Sequence, residues 1–381
     1  MSGQLPDLGL FKVVCELDRA WVLDRPVCIF RGLGAIDIKM KRLILAACLL
    51  PHAGVYAQNG IGTIGSASPF SISGYAEPYY SYAFDQSLND TKPSFIYSYN
   101  KNDEVAVNLA FLKASYNTRN IRANFALAAG SYVNANYSAE PGVVKNLYQG
   151  NVGIKLSREN NLWLDVGVFP SHIGFESPVG KDNWTLTRSL GADNTPYFES
   201  GARVSYTSEN KTWFVSGLIL NGWQHIKPVP GNSTPSFGTQ ITYRPSPGIT
   251  LNSSTFIGND YPDATRRMRY FHNFYGIFQL NRQLAALIGF DIGMEQKHKG
   301  SSAMNTWFNP TVILRYAPTE KTAIAVKAEY YDDRNGVRIA TGTPHGFKTW
   351  SFSANFDYYL SPNILWRVEA RTLTRMFHKF A

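Results

Sequence analysis

Between Phe70 and Arg371 the sequence breaks into fifteen short segments of alternating apolar and polar residues, and the connections between them alternate short and long without exception. The segments start near residues 70, 104, 119, 146, 161, 195, 211, 236, 248, 267, 283, 305, 320, 347 and 363. Tight turns fall at Asn117–Asn120, Ser157–Asn161, Thr207–Lys211, Arg244–Gly248, Leu280–Gln283, Ala317–Lys321 and Leu360–Asn363, built from Asn, Ser, Pro, Gly and charged residues that supply turn geometry. Longer loops fall between them at 85–103, 130–145, 170–194, 222–235, 258–266, 295–304 and 332–346. A soluble sandwich has no reason to alternate in this way. An antiparallel barrel that crosses an outer membrane does, with short periplasmic turns and long external loops. The expected fold is therefore all-β, a transmembrane antiparallel β-barrel of about 16 strands, of which 15 are recognisable. No apolar run of helical-span length occurs, whereas a membrane strand needs only about 9–11 residues.

The stretch Trp163–Gly201 shows the pattern in miniature. Leu162, Leu164, Val166 and Val168 are expected on one side of a strand, with Trp163, Asp165 and Gly167 on the other. A polar loop follows Phe169-Pro170, and alternation resumes at Tyr197, with Phe198, Ala202 and Val204 opposed to Glu199, Arg203 and Ser205. The words FPSHIGFE (Phe169–Glu176), NWTLTRS (Asn183–Ser189), NTPYFESG (Asn194–Gly201) and LNGWQ (Leu220–Gln224), with ISGYAEPYYSY from Ile72, are unusual rather than generic. In them the chain resembles the β-barrel porins of the OmpL-like type, a family of Bacteroidota outer-membrane proteins. The likeness runs to Arg371. It implies an outer-membrane barrel and leaves the transported substrate open.

The front of the chain reads as processed. Met40-Lys41-Arg42, the apolar run Leu43–Leu50, and Val55 and Ala57 at small-residue positions make a secretory signal peptide over 40–57. Residues 1–39 would then be a non-native upstream extension, with a genuine N-terminal extension as the rival reading. Leu45–Cys48 also resembles a lipoprotein box. Residues 58–69 form a linker, and 70–381 the barrel. Cys15, Cys28 and Cys48 all precede the cut, so the mature chain has no cysteine for a disulfide, redox pair or thiolate metal site. It keeps 30 Lys+Arg against 23 Asp+Glu, scattered without a nucleic-acid stripe.

Facing follows from the alternation. Lys155, Asp165, Glu199, Arg203, Asp291, Lys327, Glu329, Arg367, Glu369 and Arg371 fall on the inward set and are the pore-lining candidates, with Gln240, Asn355 and Asp357 beside them. Ile154, Leu164, Val204, Ile241, Ile288, Val326, Phe356, Trp366 and Val368 fall outward. A Lys or Arg facing lipid at the midplane costs roughly 2–4 kcal/mol, which enforces the sorting. Tyr79-Tyr80, Tyr330-Tyr331 and Tyr358-Tyr359 are candidates for an interfacial aromatic girdle rather than ordinary β-formers. The third long loop carries Glu176, Lys181, Asp182 and Arg188, charges of both signs suited to a pore constriction.

Catalytic chemistry finds little support. Ser171 and His172 are adjacent on an extended chain, so their side chains point apart, and His172 reads as a structural corner residue. His225, His272, His298 and His345 lack metal-binding spacing, and Asp260, Asp263, Asp332 and Asp333 read as solvated loop acids rather than a calcium site. No cofactor, metal or nucleic-acid partner is expected; the expected partners are outer-membrane lipids and small hydrophilic solutes, with a homo-oligomer possible. Some sixteen to eighteen strands leave an aqueous lumen. The expected function is thus a passive or weakly selective diffusion channel and not an enzyme. An adhesin, receptor or structural barrel acting through its external loops is the alternative.

Two outcomes follow from the sequence alone. The leader is cut between Ala57 and Gln58, and N-terminal sequencing of outer-membrane material should find no peptide from residues 1–39. Because both ends of a single-chain bacterial barrel return to the periplasm, a sixteenth strand is expected beyond Arg371, longer than TRMFHKFA can supply. Rereading the coding DNA past this point checks it.

Overall fold

The computed structural model describes residues 68–84, 90–343 and 345–375. The leader, its upstream extension, the cleavage point, most of the linker, and the chain past Arg375 where the return strand is expected all lie outside the described residues.

Fifteen strands form one antiparallel sheet in strict sequence order. The first five are β1 (Phe70–Tyr80), β2 (Val105–Asn117), β3 (Ile121–Ala129), β4 (Leu147–Lys155) and β5 (Asn161–Pro170). Then come β6 (Phe198–Thr207), β7 (Trp213–Leu220), β8 (Ser236–Ser246), β9 (Ile249–Asn259) and β10 (Met268–Gln279). The last are β11 (Leu284–Gln296), β12 (Met304–Tyr316), β13 (Thr322–Asp333), β14 (Phe347–Ser361) and β15 (Ile364–Arg375). Two short helices, α1 (Ser131–Asn136) and α2 (Leu190–Asp193), lie in the long loops. Every strand starts within about three residues of its expected position, because period-2 patterning and turn residues are both local signals.

Among the described residues β1 pairs only with β2 and β15 only with β14. The two edges nevertheless face each other. The amide of Gly180 donates to Glu77 of β1 at 3.1 Å, and its carbonyl accepts from Arg367 of β15 at 2.6 Å. One residue of the inner loop therefore spans the seam, and the sheet is curled like a barrel.

The outer face is apolar around the sheet: Leu112, Phe125, Val152, Val215, Ile241, Ile288, Val326, Phe352 and Phe356 are all exposed. Within each tyrosine pair the two rings part company. Tyr79 and Tyr331 point inward and are buried, so only Tyr80, Tyr330 and Tyr358 are placed to join an outer girdle.

Alternation breaks at one place where strict period 2 was expected. Gly167 and Gly201 are paired across β5 and β6, both at positive φ (126° and 156°). A Cβ would lie 2.1 Å from the Gly150 carbonyl oxygen at the first and 2.0 Å from that of Ile219 at the second, so only glycine fits. Beyond this kink Val168, Phe169, Phe198 and Glu199 are all buried. Val168 and Phe198, expected on the lipid side, instead join an interior cluster with Tyr75, Leu109, Tyr132, Tyr137, Tyr148 and Val179. A second cluster, including Phe169, Leu190, Trp223, Phe271, Trp307 and Phe347, packs the other side of the same long-loop half.

Val326 projects outward between β12 and β14. Val326→Arg should cost about 2–4 kcal/mol, read as a lower urea midpoint of the refolded protein. Glu320→Arg, in an exposed turn, should leave the midpoint unchanged.

Candidate functional site

Loop 171–197, between β5 and β6, turns into the lumen directly after the glycine kink. His172 is its first anchor. Its Nδ1 lies 2.9 Å from Glu199 Oε2 and its Nε2 2.8 Å from the Thr255 carbonyl of β9. Two acceptor oxygens at these distances suit N–H donors at both ring nitrogens. Burial opposes a charge on the ring, but the Glu199 carboxylate and the Thr255 carbonyl outweigh it and raise the pKa of His172 above its ordinary value. Gly238 leaves the space the ring fills, since a Cβ there would lie 2.6 Å from Nε2.

The loop then runs along the inner wall. The Gly174 amide donates to Asn273 of β10, and Phe175 fills the space above Gly289 of β11. Phe175 and Trp184 pack on Leu287, Ile313 and Ala325. The far end is held by charge. Glu369 accepts from the Thr187 amide (2.7 Å) and hydroxyl (2.6 Å), and Glu329 accepts from the Leu190 amide at 2.6 Å. Lys327 donates to the Thr187 carbonyl at 2.6 Å, Arg371 to that of Arg188 at 2.9 Å, and Arg367 to Gly180 and Asn183. Arg367 is also paired with Asp357 (2.7 Å), and Arg371 with Glu329 (2.9 Å).

This placement changes the roles expected of the charged residues. All ten pore-lining candidates occupy inward positions, but Asp165, Glu199, Asp291, Lys327, Glu329, Arg367, Glu369 and Arg371 are buried. The loop covers five of them on β13 and β15, so they hold its backbone and do not line open water. Asp291 accepts from Asn273 at 2.5 Å beneath Gly191. Lys155 and Arg203 keep partial exposure.

The constriction candidates divide likewise. Arg188 is fully buried, donating to the Leu186 and Pro178 carbonyls (2.8 and 2.9 Å), and staples the loop to itself. Glu176 is buried and accepts from the Ser189 amide and hydroxyl. A reversed charge at Arg188 would thus unfold the loop rather than retune a pore. Only Lys181 and Asp182 reach accessible surface.

Residues outside the expected set complete the lumen. Glu77 gathers the Tyr75 and Tyr99 hydroxyls, the Asn108 amide (2.5 Å) and the Gly180 amide. Arg122 of β3 reaches Asp165 over Gly153, where a Cβ would lie 2.3 Å from the Asp165 carboxylate. Each alternates with outward neighbours, so the period that located Asp165 also marks them as inward; the pairing of Arg122 with Asp165 two strands away, and of Glu77 with Gly180 of the loop, carries no local signal.

Other loops lock onto the same plug. Ser98 donates to Asp193 at 2.9 Å, Gln224 accepts from the Tyr197 amide at 2.7 Å, and Arg338 donates to the Asn194 carbonyl at 3.3 Å. Burial pushes Asp193 up from 3.8 to about 6.

Glu369→Ala should remove two charge-assisted bonds, each about 1.5–3 kcal/mol, and loosen the loop while the sheet stays intact. The expected readout is faster proteolysis within 171–197 with unchanged strand circular dichroism. The same loosening should follow alkalinity. Asp193 binds its proton more tightly in the docked loop than in the unfolded chain, so docking weakens as pH rises from about 4 through about 6. His172, raised as well, contributes docking that is complete below its unfolded pKa of about 6.5 and is lost as pH rises through its folded value. Proteolysis rates across pH 4–9 check the sign.

The family model described as "Putative beta-barrel porin-2, OmpL-like" matches residues 69–380. No curated protein matches the sequence. Among solved structures, the anion-selective porin from Comamonas acidovorans is similar at 7% identity, TM-score 0.45, over 71% of this chain and 92% of that one. The Vibrio cholerae outer-membrane protein OmpT is similar at 8% identity, TM-score 0.46, over 81% and 99%. Salmonella typhi OmpF in complex with daunomycin is similar at 8%, TM-score 0.46, over 81% and 97%. With the family match spanning the whole sheet and its inner loop, this chain belongs to the OmpL-like β-barrel porin family of the outer membrane.

Proposed function

We propose that the protein is a passive or weakly selective diffusion channel for small polar solutes or ions, with loop 171–197 as its constriction. The observation that carries this reading is the placement of that loop: it crosses the lumen and is tied to β13, β15 and β1 by buried side chains. Such a tether fixes an internal cross-section, which a pore needs and a surface cap does not. On the opposite wall the inward positions of the periplasmic half stay polar and partly accessible, as at Arg122, Lys155, Arg203 and Gln240. No catalytic role is assigned.

A second reading, a structural or adhesive barrel acting through its external loops, is favoured by one observation. The two aromatic clusters pack much of the long-loop half of the interior. Liposome swelling separates the two. The channel reading expects entry of small sugars with a sharp size cut-off, raised by Glu369→Ala. Swelling no faster than protein-free liposomes, for both proteins and every sugar, would support the structural barrel.

A further inference from the structure

Resting on the channel reading, we infer that the periplasmic half of the lumen holds a binding site for a small oxyanion, a carboxylate or phosphate, formed by Arg122, Lys155 and Arg203. The first observation is a segregation of charge by exposure. Among the described residues, every carboxylate at an inward strand position is buried: Glu77, Asp165, Glu199, Asp291, Glu295, Glu329, Asp333, Asp357 and Glu369. Of the inward cations, Arg269, Lys327, Arg367 and Arg371 are buried as well, but Lys113, Arg122, Lys155, Arg203 and Arg315 remain partly exposed. A solute in the lumen therefore meets a basic wall, although the strands carry both signs.

The second observation is a surplus of donors at one place on that wall. Asp165 is shared by two guanidiniums: Arg122 uses Nε (2.7 Å) and one Nη, and Arg203 approaches the same carboxylate at 3.3 Å. One carboxylate cannot neutralise both. Arg122 keeps 29% and Arg203 21% of its side-chain surface accessible, while Asp165 keeps 2%. An incoming anion thus meets the guanidinium edges and not the carboxylate.

Lys155 adds a third cation. It pairs in register with Trp163, one inward position toward the periplasm from the row Arg122–Gly153–Asp165–Arg203. Its ammonium makes no ion pair or hydrogen bond among the described residues. From strand spacing its Cα lies roughly 8 Å from that of Arg122 and roughly 12 Å from that of Arg203, within joint reach of one small anion. The Arg122 guanidinium lies 4.4 Å from the Trp163 ring centre, which stiffens it and sets it beside the Lys155 row. Two planar forks with an ammonium between them suit an oxyanion, whose oxygens accept several N–H bonds at once.

The net charge at the site is positive, so the same residues should also make the channel prefer anions. The test uses the refolded full chain and the double variant Lys155→Gln/Arg203→Gln, which keeps the Arg122–Asp165 pair. Inorganic phosphate and succinate are titrated calorimetrically in detergent, and reversal potentials are read in a potassium chloride gradient. Saturable binding by at least one anion is expected, weakened about tenfold or more in the double variant. Phosphate against succinate tells which oxyanion fits. Chloride should permeate in preference to potassium, with the preference reduced in the variant. No saturable binding, or binding and reversal potential both unchanged in a variant with native circular dichroism, overturns the site. Binding without any conductance would keep the site and reject the channel reading instead.

Discussion

The interior depends on one exchange of hydrogen bonds, in which charged side chains on β13 and β15 stand in for water around the backbone of loop 171–197. A segment taken out of solvent must have its amides and carbonyls satisfied, and an irregular loop cannot satisfy itself as a helix does. Glu329 and Glu369 take loop amides, while Lys327, Arg367 and Arg371 take loop carbonyls. The alternating signs along the wall match the alternating donors and acceptors of the chain laid against it. The charges in turn are compensated by the pairs Arg371–Glu329 and Arg367–Asp357. Removing one member leaves both a loop group and a buried ion without a partner, so the assembly holds as a unit.

Glycine makes that exchange reachable. The paired Gly167 and Gly201 turn both strands inward at the same level, where a side chain would strike the neighbouring backbone. Gly238 and Gly289 then open shallow seats for His172 and Phe175, and Gly180 presents its amide to one sheet edge and its carbonyl to the other. A loop that enters a barrel must lie close to its wall, and each of these absences lowers the surface by one methyl group. The loop therefore follows a fixed path from β8 round to β1, with only Lys181 and Asp182 of its charged candidates left accessible.

The division of labour between the walls has a functional reading. Where the loop lies, charge is spent on holding it. Where it does not, on β3 to β6, Arg122 and Arg203 exceed the one carboxylate they share, and Lys155 has none among the described residues. The accessible electrostatics of the passage are thus set by what remains after structural pairing, which a count of inward charges by sign does not give.

The sequence by itself determined the strand number seen, the turn positions, the inward or outward facing of Lys155, Val326, Arg367 and their neighbours, and the outer-membrane class. These rest on period 2 and on turn chemistry, which act over a few residues. It placed the loop charges Glu176 and Arg188 together but misjudged their role, and it put Val168 and Phe198 on the lipid side. Only the tertiary structure decided those points. Burial of Arg188 depends on carbonyls of its own folded loop, that of Glu369 on an amide 182 residues away, and the inward bend on two glycines that meet only once β5 and β6 pair. Such contacts are set by chain closure over long separations, and no local pattern carries them.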